Sequence, residues 1–529
     1  MPFATERVPL EKTGLLSPFI KDYLYQSDKL QLLYSFPAEE KFILPMIEMK
    51  KNQPLARPLL YEILMRQYQS RKPAEKTLHH IRQLTHDNTF TVTCAHQPTL
   101  LLHPAFFFHK IASTLALCNQ FNELFPRFSF VPVFWLGSED HDLEELGKAR
   151  IFGKDFMWQT SQKGAVGRFM LDDDFKQIWQ QVSHAAIEPD VSSVVHEAMS
   201  QTNNFGEFTA YVVQQIFAPY GLVVVNQDDA ALKKMFVQVM QDEVLQSRAE
   251  KILQPTIQFL SQHYKVTANV RSINIFYLGE HFRERLVRHP DNQYEVIHQS
   301  LRFSVEELMT AIAQQPENFS PNVILRPLFQ SLVLPDVAFV GGSAECSYWL
   351  EQKALFDFYQ VVFPLVVHRV PVVVLPQPVW RKMKKLGVKT EQVFAHSDTF
   401  IKNYLKENFE EEISLARWAA EAENIFHSIE KKLSAIDSTL SPSVKAEKQK
   451  CLSAIAQLEK KALKAIKRKS DTALEQLNQI HQTFFPGGIL QERYVNFFDL
   501  PEHKNLLETI IAFSRPFNKE LLVIKQSFD

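Results

Sequence analysis

The sequence predicts a doubly wound α/β core joined to an antiparallel helical hairpin. Three features carry this expectation: short, nearly continuous apolar runs that end in polar residues, helical patterns between those runs, and a change to long helices from about Glu411. The runs span residues 90–94, 128–136, 221–226, 337–340, 361–368 and 372–375, and are rich in β-branched and aromatic residues. Such runs suit strands buried on both faces of a parallel sheet, and residues 106–124 and 231–245 supply covering helices. Ligands of these sheets gather at the carboxyl ends of the strands, where strand order reverses.

Two stretches, about 152–201 and 265–322, interrupt the alternation and read as insertions. The first holds Gly153, Gly164, Gly167 and the acids Asp172 to Asp174, and the second the strand-like NIFYLGEHFRERLVRH, Asn274 to His289. Beyond them, Trp418, Ala422, Ile425, Ile429, Leu433, Ile436 and Leu440 recur at coiled-coil spacing, and a second stripe runs from Leu452 to Ile480. Ser441-Pro442-Ser443 separates the two helices, and the basic stretch Lys460 to Lys469 reads as a solvated face. FFPGGILQERYVNFF, Phe484 to Phe498, then returns the chain to the core. The expected division is a core at 1–410, a coiled-coil hairpin at 411–482 and a C-terminal segment at 483–529 that packs on the core.

Composition narrows the function classes. The 529 residues are 45% hydrophobic and 22% charged, which describes a folded globular chain, and the net charge of -2 gives no general field for nucleic acid. Cys94, Cys118, Cys346 and Cys451 stand far apart without metal spacing and read as reduced thiols. No run approaches the roughly 18 apolar residues that span a bilayer, and MPFATERVPLEKTG lacks a signal pattern. A cytoplasmic protein that engages neither membrane nor nucleic acid is expected.

The chemistry concentrates in a few segments. In FWLGSEDHDLEEL, His141 flanked by Glu139, Asp140 and Asp142 can serve as a general base that its neighbours orient, or the acids can simply cap a helix ending at Leu146. TCAHQPTLLLHPAFFFHK brings His96, Gln97, His103, His109 and Lys110 to a strand-to-helix junction, where anions are favoured. Neither GxGxxG nor a P-loop occurs, so a nucleotide needs another route. In SPNVILRPLFQ, Arg326 is either a carboxylate or phosphate clamp or a structural ion pair, and in GGSAECSYWLEQK, Glu345 binds an amine or caps a helix. Cys346 reads as a buried thiol, and RKMKKLG, superficially similar to a synthetase lysine loop, reads as a short amphipathic helix.

Together these segments resemble the cysteine ligases of bacillithiol biosynthesis, the BshC family, over nearly the whole chain. VPVFWLGSEDHDLEEL is similar to the family pattern VPVFWxxxEDHDxxE, and SPNVILRPLFQSLVLPDVAFVGGSAECSYW to SPNVxLRPxxQxxxLPxxAYxxGPxExxYW. The loop from Cys94 to Pro104 departs from the family's TGQQxGLLTGP: Ala95, His96, Thr99 and His103 replace G, Q, G and G, and Ser343 stands where proline is usual. Lost glycines restrict the backbone and its approach to a ligand.

The resemblance implies a Rossmann-like core with connecting-peptide insertions, a coiled coil that forms a homodimer, and addition of L-cysteine to glucosaminyl-malate through an amide bond. It implies a catalytic set of His141, Glu139 and Asp140, and substrate contacts from Gln97, His96, His109, Lys110, Asp142, Asn322, Arg326, Gln330 and Glu345. Gln491 and Arg493 are nucleotide-binding candidates; ATP or ADP is the expected cofactor and no metal is expected. The alternative is a non-catalytic nucleotide-binding dimeric scaffold in thiol metabolism. A metal-dependent hydrolase built on EDHD is a third reading.

Overall fold

A computed structural model describes residues 3–185, 189–469 and 471–526. The chain forms two compact units, one of residues 1–11, 15–374 and 490–529 and the other of 12–14 and 375–489. The long continuous stretch of the first unit therefore runs to Val374, short of the sequence division at 410. The helices from Gln377 onward share apolar contacts with the later helices of the second unit; Phe394, for instance, meets Phe484 edge-on at 5.5 Å.

At the centre of the first unit lies a five-stranded sheet. Its spatial order is Leu365–His368, Asp336–Gly341, Thr89–His96, Ser129–Leu136 and Val223–Asn226, every pair parallel. Thr89–His96 comes first in the chain, and the next two strands add on one side and the last two on the other. Strand order thus reverses between Thr89–His96 and Asp336–Gly341, which opens a crevice at their carboxyl ends. The strands are buried throughout their apolar positions, which explains their unbroken hydrophobic runs. Val372–Leu375, also read as a strand, joins a separate sheet with Glu520–Gln526 and Phe3–Pro9.

Helix Phe106–Leu124 follows the first central strand and is buried along nearly its whole length. Its Phe108 stacks on Phe497 with ring centres 4.2 Å apart, so the returning C-terminal segment covers it. The preceding loop takes left-handed conformations at Leu101 (φ 55°) and Leu102 (φ 50°). Each costs about 1–2 kcal/mol, opposed here by complete burial of both leucines and by a hydrogen bond from Asn496 Nδ2 to the Leu101 carbonyl, 3.1 Å.

Both expected insertions form substructures. The first contains helices Asp173–Ala185 and Pro189–Gln201, preceded by the hairpin Lys148–Ile151 and Lys154–Met157. The second is a five-stranded antiparallel sheet ordered Leu301–Phe303, Tyr294–Val296, Arg283–Arg288, Ile275–Leu278 and Phe319–Pro321.

The second unit is helical. Ala416–Ser434 and Ser441–Lys469 pack against each other, and the break between them is a 3-10 turn at Ser438–Leu440. Ser441 and Pro442 start the second helix, because proline's missing N–H costs nothing in a first turn. Trp418, Ile425, Ile436 and Leu458 remain more than half exposed. Lys460, Lys461 and Lys464 are exposed as a solvated face requires; the side chains of 465–469 lie outside the described residues. RKMKKLG belongs to helix Gln377–Leu386, with Met383 buried, Lys384 and Lys385 exposed, and Gly387 closing it in the left-handed conformation.

Candidate active site

At the reversal of strand order the first unit contains a cavity of about 360 Å³, within the range of small-molecule sites. Its floor is the carboxyl ends of the central strands, represented by His96, Gly137 and Gly342. Its walls come from helices Phe106–Leu124, Arg326–Val333 and Ser343–Glu351, from the inserted sheet through Arg283, and from the returning segment through Arg493.

The four residues of EDHD diverge. Glu139 turns inward and is 1% exposed; it accepts from Gln227 Nε2 at 3.0 Å and Ser320 Oγ at 2.9 Å and pairs with buried Lys233. Burial raises its pKa against the pull of Lys233. Asp140 lines the cavity, accepting from Gln97 Nε2 at 3.1 Å and from the His141 N–H at 2.7 Å. Burial opposes its charge, but Arg283 and these hydrogen bonds hold its carboxyl below the usual range. Asp142 accepts from the Glu145 N–H at 3.0 Å and caps helix Leu143–Leu146, which is the capping alternative weighed for this segment. His141 does not line the cavity; it lies 2.9 Å from Arg283 Nη1, with burial and then Arg283 lowering its pKa.

The loop and helix after the first central strand supply a second group. His96 lines the cavity, Nδ1 donating to the Gln97 carbonyl at 3.0 Å, and burial together with Lys110 lowers its pKa to about 4. Lys110 is 2% exposed and is held by Glu345 Oε2 at 2.6 Å and the Ala95 carbonyl at 2.8 Å. Glu345 also accepts from the Gly342 N–H at 2.9 Å, so it both caps helix Ser343–Glu351 and faces the cavity. His109 is sealed beneath the floor, 3.0 Å from Glu492, and does not reach the cavity.

Arg326 lines the opposite wall. Its Nη1 donates to Gln330 Oε1 at 3.1 Å and its Nη2 to the Tyr348 hydroxyl at 3.0 Å. No carboxylate of the described residues lies within ion-pair distance, which argues against the structural ion pair and leaves a cation facing the cavity. Gln330 is buried below it and donates to Asp336 Oδ2 at 3.2 Å, a support for Arg326 and not a ligand contact. Asn322 lines the cavity with its amide committed to Asn274 Oδ1 and the Ile324 N–H.

The two nucleotide candidates separate. Gln491 exchanges hydrogen bonds of 2.7 and 2.9 Å with the Val374 backbone and is committed to holding that strand. Arg493 enters the main cavity, over the Phe106 ring at 5.8 Å. Cys346 is a buried thiol whose pKa burial pushes up. Among the described residues no group of three or more His, Cys, Asp or Glu is placed to hold a metal ion.

Sequence reasoning missed Arg283, Arg369 and Glu145, all of which line the cavity. Arg369 directly follows a core strand, so its place at a carboxyl end was accessible in the sequence; Arg283 required the register of the inserted hairpin.

Residues 3–370 match the family described as "Bacillithiol biosynthesis BshC, N-terminal Rossmann-like domain", and residues 372–526 its "C-terminal coiled-coil domain". The chain is 33% identical over 502 residues to a protein of Flavobacterium psychrophilum, with 94% of each chain covered. It is 33% identical over 497 residues to one of Cytophaga hutchinsonii, again with 94% of each covered. A Bacillus cytotoxicus protein is 25% identical over 502 residues, 91% of this chain and 92% of its own. All three carry the name "Putative cysteine ligase BshC".

Proposed function

The chain belongs to the BshC family of bacillithiol biosynthesis, and we propose that it is a ligase joining the carboxyl of L-cysteine to the amine of glucosaminyl-malate. The observation that carries this reading is a single cavity holding both Arg326, a cation without a carboxylate partner, and the carboxylates Asp140 and Glu145. A malyl carboxylate suits Arg326, and an amine suits the acids.

Burial, Asp142 and Asp140 raise the proton affinity of Glu145, which fits it to take the proton released when the amine attacks. Asp140, held charged, orients that amine. The base role read for His141 passes to Glu145, because His141 stands outside the cavity and meets Arg283. Lys110 lines the cavity and acts by fixing Glu345, since its ammonium is held by Glu345 and the Ala95 carbonyl.

Forming an amide from a free carboxylate requires activation, which ATP or a related donor supplies when bound. At the start of helix Ser343–Glu351 the group that fits a phosphate is Arg369 Nε, buried without a partner; a Cβ on Gly342 would stand 3.6 Å from it and 3.6 Å from Glu345 Oε2. Arg493 would add a second cation there. The exposed Trp418, Ile425, Ile436 and Leu458 favour pairing of two chains through the helical hairpin.

Mass spectrometry of the protein incubated with glucosaminyl-malate, cysteine and ATP, with and without cell extract, tests the assignment. Bacillithiol formed only with intact protein supports it. Absence of product even with extract, while a relative assayed alongside succeeds, overturns it.

A further inference from the structure

Arg283 begins the second strand of the inserted hairpin, paired with Leu278. Its guanidinium lies over the Phe276 ring, 4.0 Å from the centre. Nε and Nη2 donate to Ser320 Oγ at 3.3 and 3.2 Å, and Nη1 lies 2.9 Å from His141 Nδ1. Ser320 in turn donates to Glu139 Oε2 at 2.9 Å.

These bonds have a fixed direction. Glu139 accepts from both Ser320 and Gln227, so the serine hydroxyl is spent and only its lone pairs face Arg283. Arginine has donors alone, so His141 Nδ1 must accept, and the neutral ring carries its proton on Nε2. A base acting through Nε2 is incompatible with that tautomer.

Exposure points the same way. His141 has 48% of its side chain exposed and lies outside the cavity wall, whereas Arg283 is part of that wall. Arg283 has five N–H bonds, of which three are used; the others are available. Its bonded partners, Ser320 and His141, are neutral; Asp140 and Glu139 act on its charge only from beyond ion-pair distance, so no carboxylate of the described residues occupies its free N–H groups.

We propose that Arg283 is the substrate-facing member of this pair, binding a carboxylate of the acidic substrate, while His141 is the positioning residue that holds it. This rests on the ligase reading above, and gives a dicarboxylate two separate arginines, Arg283 and Arg326. It also makes the inserted sheet part of substrate recognition. The charged groups facing His141 are Asp140 and Asp142 from its own segment and Arg283 and Glu284 from the inserted sheet. Protonating the ring replaces an acceptor by a donor and sets two cations against each other.

Steady-state kinetics on four variants, with nitrogen NMR of histidine-labelled protein, test this. R283Q should raise KM for glucosaminyl-malate roughly 10- to 100-fold and leave KM for cysteine unchanged, with R283K intermediate. H141N, whose Oδ1 can replace Nδ1 as acceptor, should keep most of the turnover lost in H141A and should lack the acid-side fall in activity. NMR should show His141 protonated on Nε2 and not on Nδ1. An R283Q enzyme with normal KM, an H141N enzyme as inactive as H141A, or a proton on Nδ1 overturns the proposal. Because the tautomer is read without turnover, an inactive wild type would overturn the ligase reading and leave this pairing to be judged by NMR.

Discussion

Arg369, which lines the cavity, meets Glu492 through two hydrogen bonds, of 2.8 and 2.5 Å, and neither side chain is more than 4% exposed. Glu492 also accepts from His109 and from the Val372 N–H. E492Q would leave a buried guanidinium without its counter-charge and should destabilise the protein by about 3–5 kcal/mol. Urea unfolding measures this; a loss under about 1 kcal/mol would mean that the pair behaves as a surface one.

Acid should weaken the fold in two stages. Burial lowers the pKa of His96 and His368 to about 4, so between the ordinary histidine value and 4 the unfolded chain binds protons that the folded chain does not. Stability is complete above that window and falls through it, by up to about 1.4 kcal/mol per pH unit for each ring. Glu492, held far below the usual carboxylate range by Arg369 and His109 despite its burial, contributes stability that is lost only at lower pH still. Unfolding curves at pH 7, 6 and 5 should show the first stage, and H368Q should flatten it.

At Gly167, an added Cβ would lie 2.3 Å from the Ser138 carbonyl oxygen, next to Glu139. The three nearest atoms there are the carbonyl O, the carbonyl C and the Cβ of Ser138, so no flexible side chain can yield. G167A should cost about 1–3 kcal/mol and depress turnover. Equal stability and activity would show that the segment shifts freely.

Replacing Arg326 separates recognition from folding. Its hydrogen bonds run to neutral Gln330 and Tyr348, so R326A leaves no buried charge unpaired. KM for glucosaminyl-malate should rise roughly 10- to 100-fold with little change in melting temperature. An unchanged KM would remove Arg326 from the carboxylate clamp.

Lys110 and Glu345 should behave as one unit. K110M alone leaves the Glu345 carboxylate without its ammonium and should cost about 3–5 kcal/mol, whereas K110M/E345Q should recover part of that loss. Additive losses in urea unfolding would mean that the two residues act independently.

The parallel sheet and its reversal point were legible because strands covered on both faces must be apolar at every position, as in FVPVFWL before Gly137. Asp140 was legible for the same reason, since polar residues just past such runs fall at the ligand edge. The direction of His141 was not legible, because flanking acids at one and two residues say nothing about it; Glu139 turns inward and Asp142 outward. Arg283 was illegible because its approach depends on hairpin register and on a partner 142 positions away.

The returning segment 490–526 has a consequence for synthesis. Glu492 and Arg493 leave the ribosome only after all the helices of the second unit, yet both belong to the first. Until they emerge, Arg369 lacks the carboxylate that neutralises it and the central helix lacks Phe497 over Phe108. The first unit must therefore wait, incompletely closed, while more than a hundred residues of another unit are translated.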